Sequence, residues 1–222
     1  MRRGILFVLS GASGVGKGTV LSYVLSQDEN LYFSISWTTR NQRKGETNGK
    51  DYYFKSREEF MLELETTGFL EHAEFVGSMY GTPRRKVEEQ LEAGRDVILD
   101  VERVGALNVK RLMPEAVLIQ LVPPNLSKLR QRLLKRGTDA LEVIGRRLKR
   151  AKEDMQYYRE FDYVIVNDDL STAVDDLESV LRAERLSTSR IVSDEFLVHS
   201  SQELELELEL DSLEAKIRDS GH

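Results

Sequence analysis

The chain has 222 residues, 40% of them hydrophobic and 32% charged, enough to bury a sizeable core as one domain with inserted lobes. It contains no cysteine, which excludes a disulfide framework and any thiolate metal site and fits a reducing cytoplasm. The formal net charge of −6 sits at one end: residues 187–222 hold nine carboxylates against three basic side chains, so the remainder is formally neutral and carries no bulk field for nucleic acid.

Met1-Arg2-Arg3 ahead of an apolar run superficially resembles a signal peptide, but the run ends within a few residues, so Ile5–Leu9 reads as a buried strand. No stretch is apolar enough to predict a membrane span. Directly after the strand comes Gly11-Ala12-Ser13-Gly14-Val15-Gly16-Lys17-Gly18-Thr19. A glycine-rich turn between a strand and a helix lets successive N–H groups converge on phosphate oxygens. The helix dipole adds positive potential, and Lys17 a mobile charge for the β/γ-phosphates. The loop departs from the usual G-x-x-x-x-G-K-[ST] at its last position. Gly18 stands where a hydroxyl is expected and Thr19 follows, so a Mg²⁺-facing hydroxyl would come from Thr19 or the metal would be held by phosphates and water.

Ser34–Trp37 and Asp51–Phe54 are short, aromatic and alternating, joined by the turn-rich Gly45-Glu46-Thr47-Asn48-Gly49, and predict a small β-rich lobe at about 34–95. Helices are expected at Arg57–Thr67 and Pro83–Ala93. The runs Asp96–Val101, Ala116–Val122 and Tyr163–Val166 are apolar on both faces and separated by helical stretches, the pattern of parallel strands covered on both sides. A basic helical insert at about 126–160, broken at Arg136-Gly137-Thr138-Asp139, and a last helix at Leu170–Arg185, capped by Ser171 or Asp169, complete an α/β body of residues 1–186. The Glu-Leu alternation at 203–210 is ambiguous: its period of two suits a strand, its residue types a helix, and a mobile or weakly helical tail is expected over 187–222.

The acceptor side is carried by Ser34-Ile35-Ser36-Trp37-Thr38-Thr39-Arg40-Asn41-Gln42-Arg43-Lys44-Gly45-Glu46 and Asn48-Gly49-Lys50-Asp51-Tyr52-Tyr53-Phe54. With Gly68-Phe69-Leu70-Glu71, Tyr80-Gly81-Thr82, Gly94–Asp100, Arg136-Gly137-Thr138 and Val166-Asn167-Asp168-Asp169-Leu170 in order, the chain resembles the guanylate kinases over about residues 4–185. The resemblance implies a P-loop parallel sheet flanked by helices, an inserted GMP-binding lobe and a helical lid. It also implies ATP-dependent conversion of GMP, and of dGMP, to GDP or its deoxy counterpart in the cytoplasm, without membrane or nucleic-acid partners; a homo-oligomer stays open.

Residue by residue, the resemblance implies that Arg40 and Arg43 hold the GMP phosphate, with Ser36, Tyr52 and Tyr80 donating hydroxyls. Guanidinium forks suit a phosphate dianion. Glu71 and Thr82 match readers of the guanine edge; a carboxylate accepts from N1–H and the exocyclic amine of guanine, whereas adenine presents an unprotonated N1. Asp100 matches a position near the Mg²⁺ shell and Glu102 one that helps recognise guanine. The chain departs from the family pattern in having Glu102 where Asp is usual and Val104 where Gln is usual. Arg132, Arg136 and Arg147 match lid arginines closing on the triphosphate, and Asn167 a position near the donor adenine, or else a turn cap. Arg130, Lys135, Arg146, Lys149 and Arg150 read as solvated helix charges, and the aromatics Tyr32, Phe33, Trp37, Tyr53 and Phe54 as packing of the small lobe. His72, His199 and His222 have no ligand spacing. A guanylate-kinase-like interaction module, the rival reading, would typically lack the intact phosphate loop.

Overall fold

The computed structural model describes residues 2–66, 68–75, 77–136, 140–190 and 205–210, with only the backbone at Phe75 and Arg136. Two compact units result: Arg3–Arg190, and Met1–Arg2 with Ile191–His222. In the first, β1 (Leu6–Ser10), β2 (Leu31–Phe33), β7 (Asp96–Asp100), β8 (Val117–Val122) and β9 (Tyr163–Val166) form a parallel sheet in the order β2-β7-β1-β8-β9.

Strand alternation builds the two cores. Phe7 and Leu9 of β1, Ile98 of β7 and Ile119 and Leu121 of β8 face one side, where Val20, Leu21 and Val24 of α1 (Lys17–Gln27) and Ala173, Val174, Leu177 and Leu181 of α7 (Leu170–Arg185) cover them. The intervening Leu6, Val8, Val97, Leu99 and Leu118 face the other side, under α3 (Arg84–Glu92) and α4 (Arg103–Leu112) through Val87, Leu91, Ala106 and Val109. Asp169 caps α7, accepting from the Thr172 N–H at 3.0 Å.

The inserted lobe is a four-stranded sheet, β4-β3-β6-β5, made of β3 (Trp37–Thr38), β4 (Tyr53–Phe54), β5 (Phe69–Phe75) and β6 (Ser78–Pro83). Sequence patterning does not predict β5 and β6 as a pair of strands. The β5 sequence, FLEHAEF, alternates weakly and is rich in charge. Helix α2 (Arg57–Glu65) opens with a capping box between Ser56 and Glu59 and seals the lobe with Phe60, stacked 4.4 Å from Phe69, against which Trp37 packs edge-on. Helix α3 falls inside the range expected for the lobe, but its apolar face packs in the core of the main sheet.

One sequence expectation needs correction here. Tyr32 and Phe33 do not pack the lobe: they lie in β2, the edge strand of the main sheet, and pack on its opposite faces. The basic insert comprises α5 (Leu126–Arg136) and α6 (Leu141–Gln156), joined through Leu129, Leu133, Ile144 and Ala151. The expected break at Gly137-Thr138-Asp139 lies outside the described residues. In the second unit, residues 205–210 are helical, with Leu206, Leu208 and Leu210 exposed. His199 and His222 also lie outside the described residues; His72 is exposed on β5.

Candidate active site

Strand β1 ends at Ser10 and α1 begins at Lys17, so the glycine-rich loop lies at the carboxyl edge of the parallel sheet, where ligands of such sheets bind. Gly16 precedes the helix with φ 107°, a left-handed conformation, and a Cβ there would sit 2.5 Å from Asn167 Nδ2. Asn167 is buried and donates to Val15 O at 2.8 Å, so its side chain holds the loop from beneath. Arg132 donates to Val15 O at 3.2 Å and Asn167 O at 2.8 Å, tying the same two segments together. Gly18 has open space where its Cβ would be, and Thr19 is exposed.

Lys17 is folded over the loop. Its Nζ donates to Gly11 O at 2.6 Å and lies 3.6 Å from Asp100 Oδ1, which comes from the end of the adjacent strand β7. Burial pushes the Asp100 carboxyl up, against the opposing pull of the Lys17 charge. Arg147 of α6 donates to Ser13 Oγ at 3.0 Å. Arg136 ends α5; its side chain lies outside the described residues.

The second cluster belongs to the lobe. Thr82 pairs with Glu71 in the β5–β6 register, and its hydroxyl donates to Glu71 Oε1 at 2.7 Å. Burial pushes the Glu71 carboxyl up, with the nearby Glu102 charge adding in the same direction and the Thr82 hydrogen bond opposing. Gly105 of α4 makes room for this carboxylate: a Cβ there would lie 2.9 Å from Glu71 Oε2. Tyr80, two residues before Thr82 on β6, shares its face of the sheet and lies 6.0 Å, ring to ring, from Tyr52. Burial pushes the Tyr52 phenol up.

Arg40 lies over the Tyr52 and Phe54 rings, near Tyr80. Its terminal nitrogens fork onto Glu46 at 2.8 and 3.0 Å. The Arg43 N–H donates to the same carboxylate at 2.7 Å, while the Arg43 side chain is exposed. These hydrogen bonds, Arg40's first, hold the Glu46 carboxyl below its ordinary value. Ser36 lies in the chain just before β3, its carbonyl accepting from the Tyr53 N–H at 2.9 Å.

Three further residues enter to which sequence reasoning gives no part in the site. Glu46 reads there as part of a turn and of the acceptor-side run with no role of its own, although a carboxylate within six residues of two arginines is a signal of pairing. Gly105 gives no sequence signal beyond its place after Glu102. Arg150 is no freely solvated charge: it donates to Glu102 Oε2 at 2.5 Å, an encounter between α6 and α4 that only the fold creates. Val104 is 56% exposed, so the apolar substitute for the usual Gln faces solvent.

A concavity of about 530 Å³ elsewhere opens at the amino ends of β8 and β9. Its charges are already matched, Lys110 with Asp162 at 3.0 Å and Arg190 with Glu184 at 3.1 Å, and it lies across the sheet from the phosphate loop. Among the described residues no group of three or more His, Asp or Glu side chains is placed to hold a metal, and no helix is long and apolar enough to cross a membrane.

Known proteins fit this geometry. The family described as guanylate kinase matches residues 3–184. A guanylate kinase from Thermus thermophilus is 49% identical over 221 residues, 99% of this chain and 100% of that protein, so the alignment takes in the acidic tail. The guanylate kinase of Lactococcus lactis is 46% identical over 190 residues, 86% of this chain and 93% of that protein. The crystal structure of guanylate kinase from Anaplasma phagocytophilum superposes with a TM-score of 0.71 at 36% identity, covering 86% of this chain and 91% of that one.

Proposed function

The chain belongs to the guanylate kinase family and phosphorylates GMP to GDP with ATP as donor; from that premise we propose how its residues divide the work. The donor half is the loop Gly11–Thr19 at the head of α1. Its backbone N–H groups cradle the ATP phosphates, Lys17 follows the β/γ-phosphates, and Arg147 and Arg136 supply charge from the lid. Arg132 and Asn167 serve the donor by keeping the loop in shape, consistent with their bonds to Val15 O.

The acceptor half is the lobe. Arg40 and Arg43 hold the GMP phosphate together with Ser36, Tyr52 and Tyr80, and Glu71, Thr82 and Glu102 read the base. One observation carries this reading: Tyr80 and Thr82 share one face of β6, so the arginine-bound end and the Glu71-bound end of the lobe lie along a single surface. A phosphate at one end and a guanine at the other match that polarity. dGMP fits equally, since none of these residues is assigned to the ribose.

Mg²⁺ would arrive with ATP, and Thr19 and Asp100 are the residues that would hold it, directly or through water, if phosphates and water do not hold it alone. When bound, it neutralises charge on the phosphates. Asp100 suits a cation, because its half-buried carboxylate already faces Lys17. The acceptor phosphate oxygen is itself the nucleophile, so protein groups orient and neutralise; none needs to remove a proton. Closure of the lobe and lid on both substrates would exclude water and limit wasteful hydrolysis of ATP.

A coupled ADP-release assay across GMP, dGMP, AMP, UMP and CMP tests the assignment. GMP and dGMP should be turned over and AMP strongly disfavoured. Comparable rates with AMP and GMP would defeat the base-pocket roles.

A further inference from the structure

Helix α6 carries a stripe of charged side chains at Arg147, Arg150 and Asp154. Spacings of three and four residues put them on one face, and about 10 Å of helix separates the first from the last. The stripe touches two different places. Arg147 reaches Ser13 in the phosphate loop. Arg150 and Asp154 reach the start of α4, where Arg150 Nη2 donates to Glu102 Oε2 at 2.5 Å and Asp154 accepts from Arg103 Nε at 3.3 Å. Arg103 also stacks on Tyr157, 4.0 Å from the ring centroid, and pairs with Glu160 at 3.2 Å. The α6 face and the α4 amino end are therefore joined by several contacts, with Arg150 among them.

Glu102 occupies the N-cap position of α4, yet its side chain does not cap the helix. Its carboxylate turns to Arg150 instead, with Glu102 Oε1 left to accept from another donor. The side chain is 63% exposed and has three torsions to fix. An exposed carboxylate on such an arm is a poor hydrogen-bond partner unless something holds it, because ordering it costs entropy on every binding event.

We propose that Arg150 is a positioning residue for guanine selectivity: it holds Glu102 so that the second carboxylate oxygen meets the exocyclic amine of guanine. The inference rests on the reading of Glu102 as a base reader. Guanine offers one N1–H and two amine hydrogens. Glu71, already accepting from Thr82 on Oε1, takes the N1 side, and Glu102 the outer amine hydrogen. In the free protein the Arg150–Glu102 pair is half exposed and contributes little to stability. A base covering it lowers the local dielectric and strengthens both contacts of the carboxylate together.

The probe is inosine monophosphate, which has the same phosphate, ribose and N1–H and lacks the 2-amino group. Affinities for GMP and for inosine monophosphate are measured by calorimetry on the full chain without ATP, for the unaltered protein and for Arg150→Ala, Arg150→Lys and Glu102→Ala. The expected result is that Arg150→Ala weakens GMP by about fivefold or more, converted from about 1 kcal/mol, while inosine monophosphate binding and the KM for ATP barely change. Arg150→Lys, which can still donate to a single carboxylate oxygen, should restore most of the preference. A structural role in holding α6 would weaken both nucleotides alike and would not be rescued selectively. If Glu102→Ala erases the preference for the 2-amino group and Arg150→Ala leaves it intact, the role given to Arg150 is overturned. If neither variant alters the preference, Glu102 does not read the amine and the underlying assignment falls with it. Should Arg150→Ala fold poorly, Arg150→Lys and Arg150→Gln supply the same comparison.

Discussion

Arg40 and Glu46 form a two-pronged ion pair at 2.8 and 3.0 Å inside the acceptor lobe. The pair anchors the guanidinium, a third bond to Asn41 O at 2.7 Å helps, and Tyr80 lies nearby. A carboxylate that pre-sets a guanidinium lowers the entropy lost when a phosphate docks on its other side. Glu46→Ala should therefore raise KM for GMP about tenfold with little change in KM for ATP. Initial rates at varied GMP and fixed, saturating ATP measure this; an unchanged or lower KM for GMP would mean that Glu46 competes with the phosphate and does not prepare for it.

Glu71 illustrates a site residue that costs the free protein stability. Burial raises its folded-state pKa above the unfolded value, so the folded protein holds the extra proton more tightly. Stability linked to this group is highest below the unfolded pKa and falls as pH rises through the raised one. Glu71→Gln should accordingly melt higher than the unaltered protein at about pH 7 without GMP, with the gain disappearing towards about pH 4. The same change should lower kcat/KM for GMP by about 2 kcal/mol, since a neutral amide accepts more weakly from the guanine N1–H than a carboxylate does. Gly105→Ala places a methyl 2.9 Å from Glu71 Oε2 and should raise KM for GMP while leaving the melting temperature within a few degrees, because the tip of Glu71 can give way. Melting curves across pH and GMP saturation curves check the two variants.

Lys17 and Arg147 both reach the phosphate loop, one from the head of α1 and one from α6. Both are proposed to act on charge that develops as the phosphoryl group moves. Lys17→Ala and Arg147→Ala should each cut kcat by about a hundredfold or more with both substrates saturating. Lys149→Ala, a neighbouring charge on the same helix, should be nearly silent. Single-turnover measurements separate the chemical step from product release, and a near-normal kcat in either variant would remove that residue from the transition state.

Arg185 closes the body at its last helix. Its Nε donates to the fully buried Asp96 at 2.7 Å and its Nη2 to Asp28 at 2.5 Å, while Asp96 also accepts from the Ile5 N–H. Removing the cation takes the charged partner from a buried carboxylate, so Arg185→Ala should cost about 3 kcal/mol in urea denaturation. Truncation after Arg190 keeps this pair and the Arg190 bond to Glu115 O. That shortened protein should retain kcat and KM for GMP within about twofold, as the residues proposed for the site all precede α7. A folded truncation with severely reduced GMP turnover would make the acidic tail part of the enzyme.

What is legible in the sequence, and what is not, follows the range of the forces involved. Strand β1, the phosphate loop and α1 are consecutive, and each is specified by local chemistry: a β-branched and aromatic apolar run, glycines for a tight turn, a helix former after it. The buried strands β7, β8 and β9 announce themselves as apolar runs for the same reason. By contrast, β5 carries three charged or titratable side chains in seven residues and is a strand because it pairs with β6 and buries Phe69 against Phe60. Sequence reasoning puts Tyr32 and Phe33 in the wrong layer because a three-residue apolar and aromatic run gives no sign of which sheet it joins.

By itself the sequence determined the glycine-rich loop after β1, the family and the residue types proposed for the acceptor pocket, since short-range backbone geometry and motif spacing survive without tertiary information. Tertiary structure alone decided the partners: Arg40 with Glu46, Gly105 beneath Glu71, Asn167 under the loop, and Arg150 with Glu102, 48 residues apart. A charged side chain carries no address in the sequence. Its partner is whichever opposite charge the fold brings within hydrogen-bonding distance, and the burial of apolar faces, α6 against α5 and α4 against the main sheet, fixes that meeting.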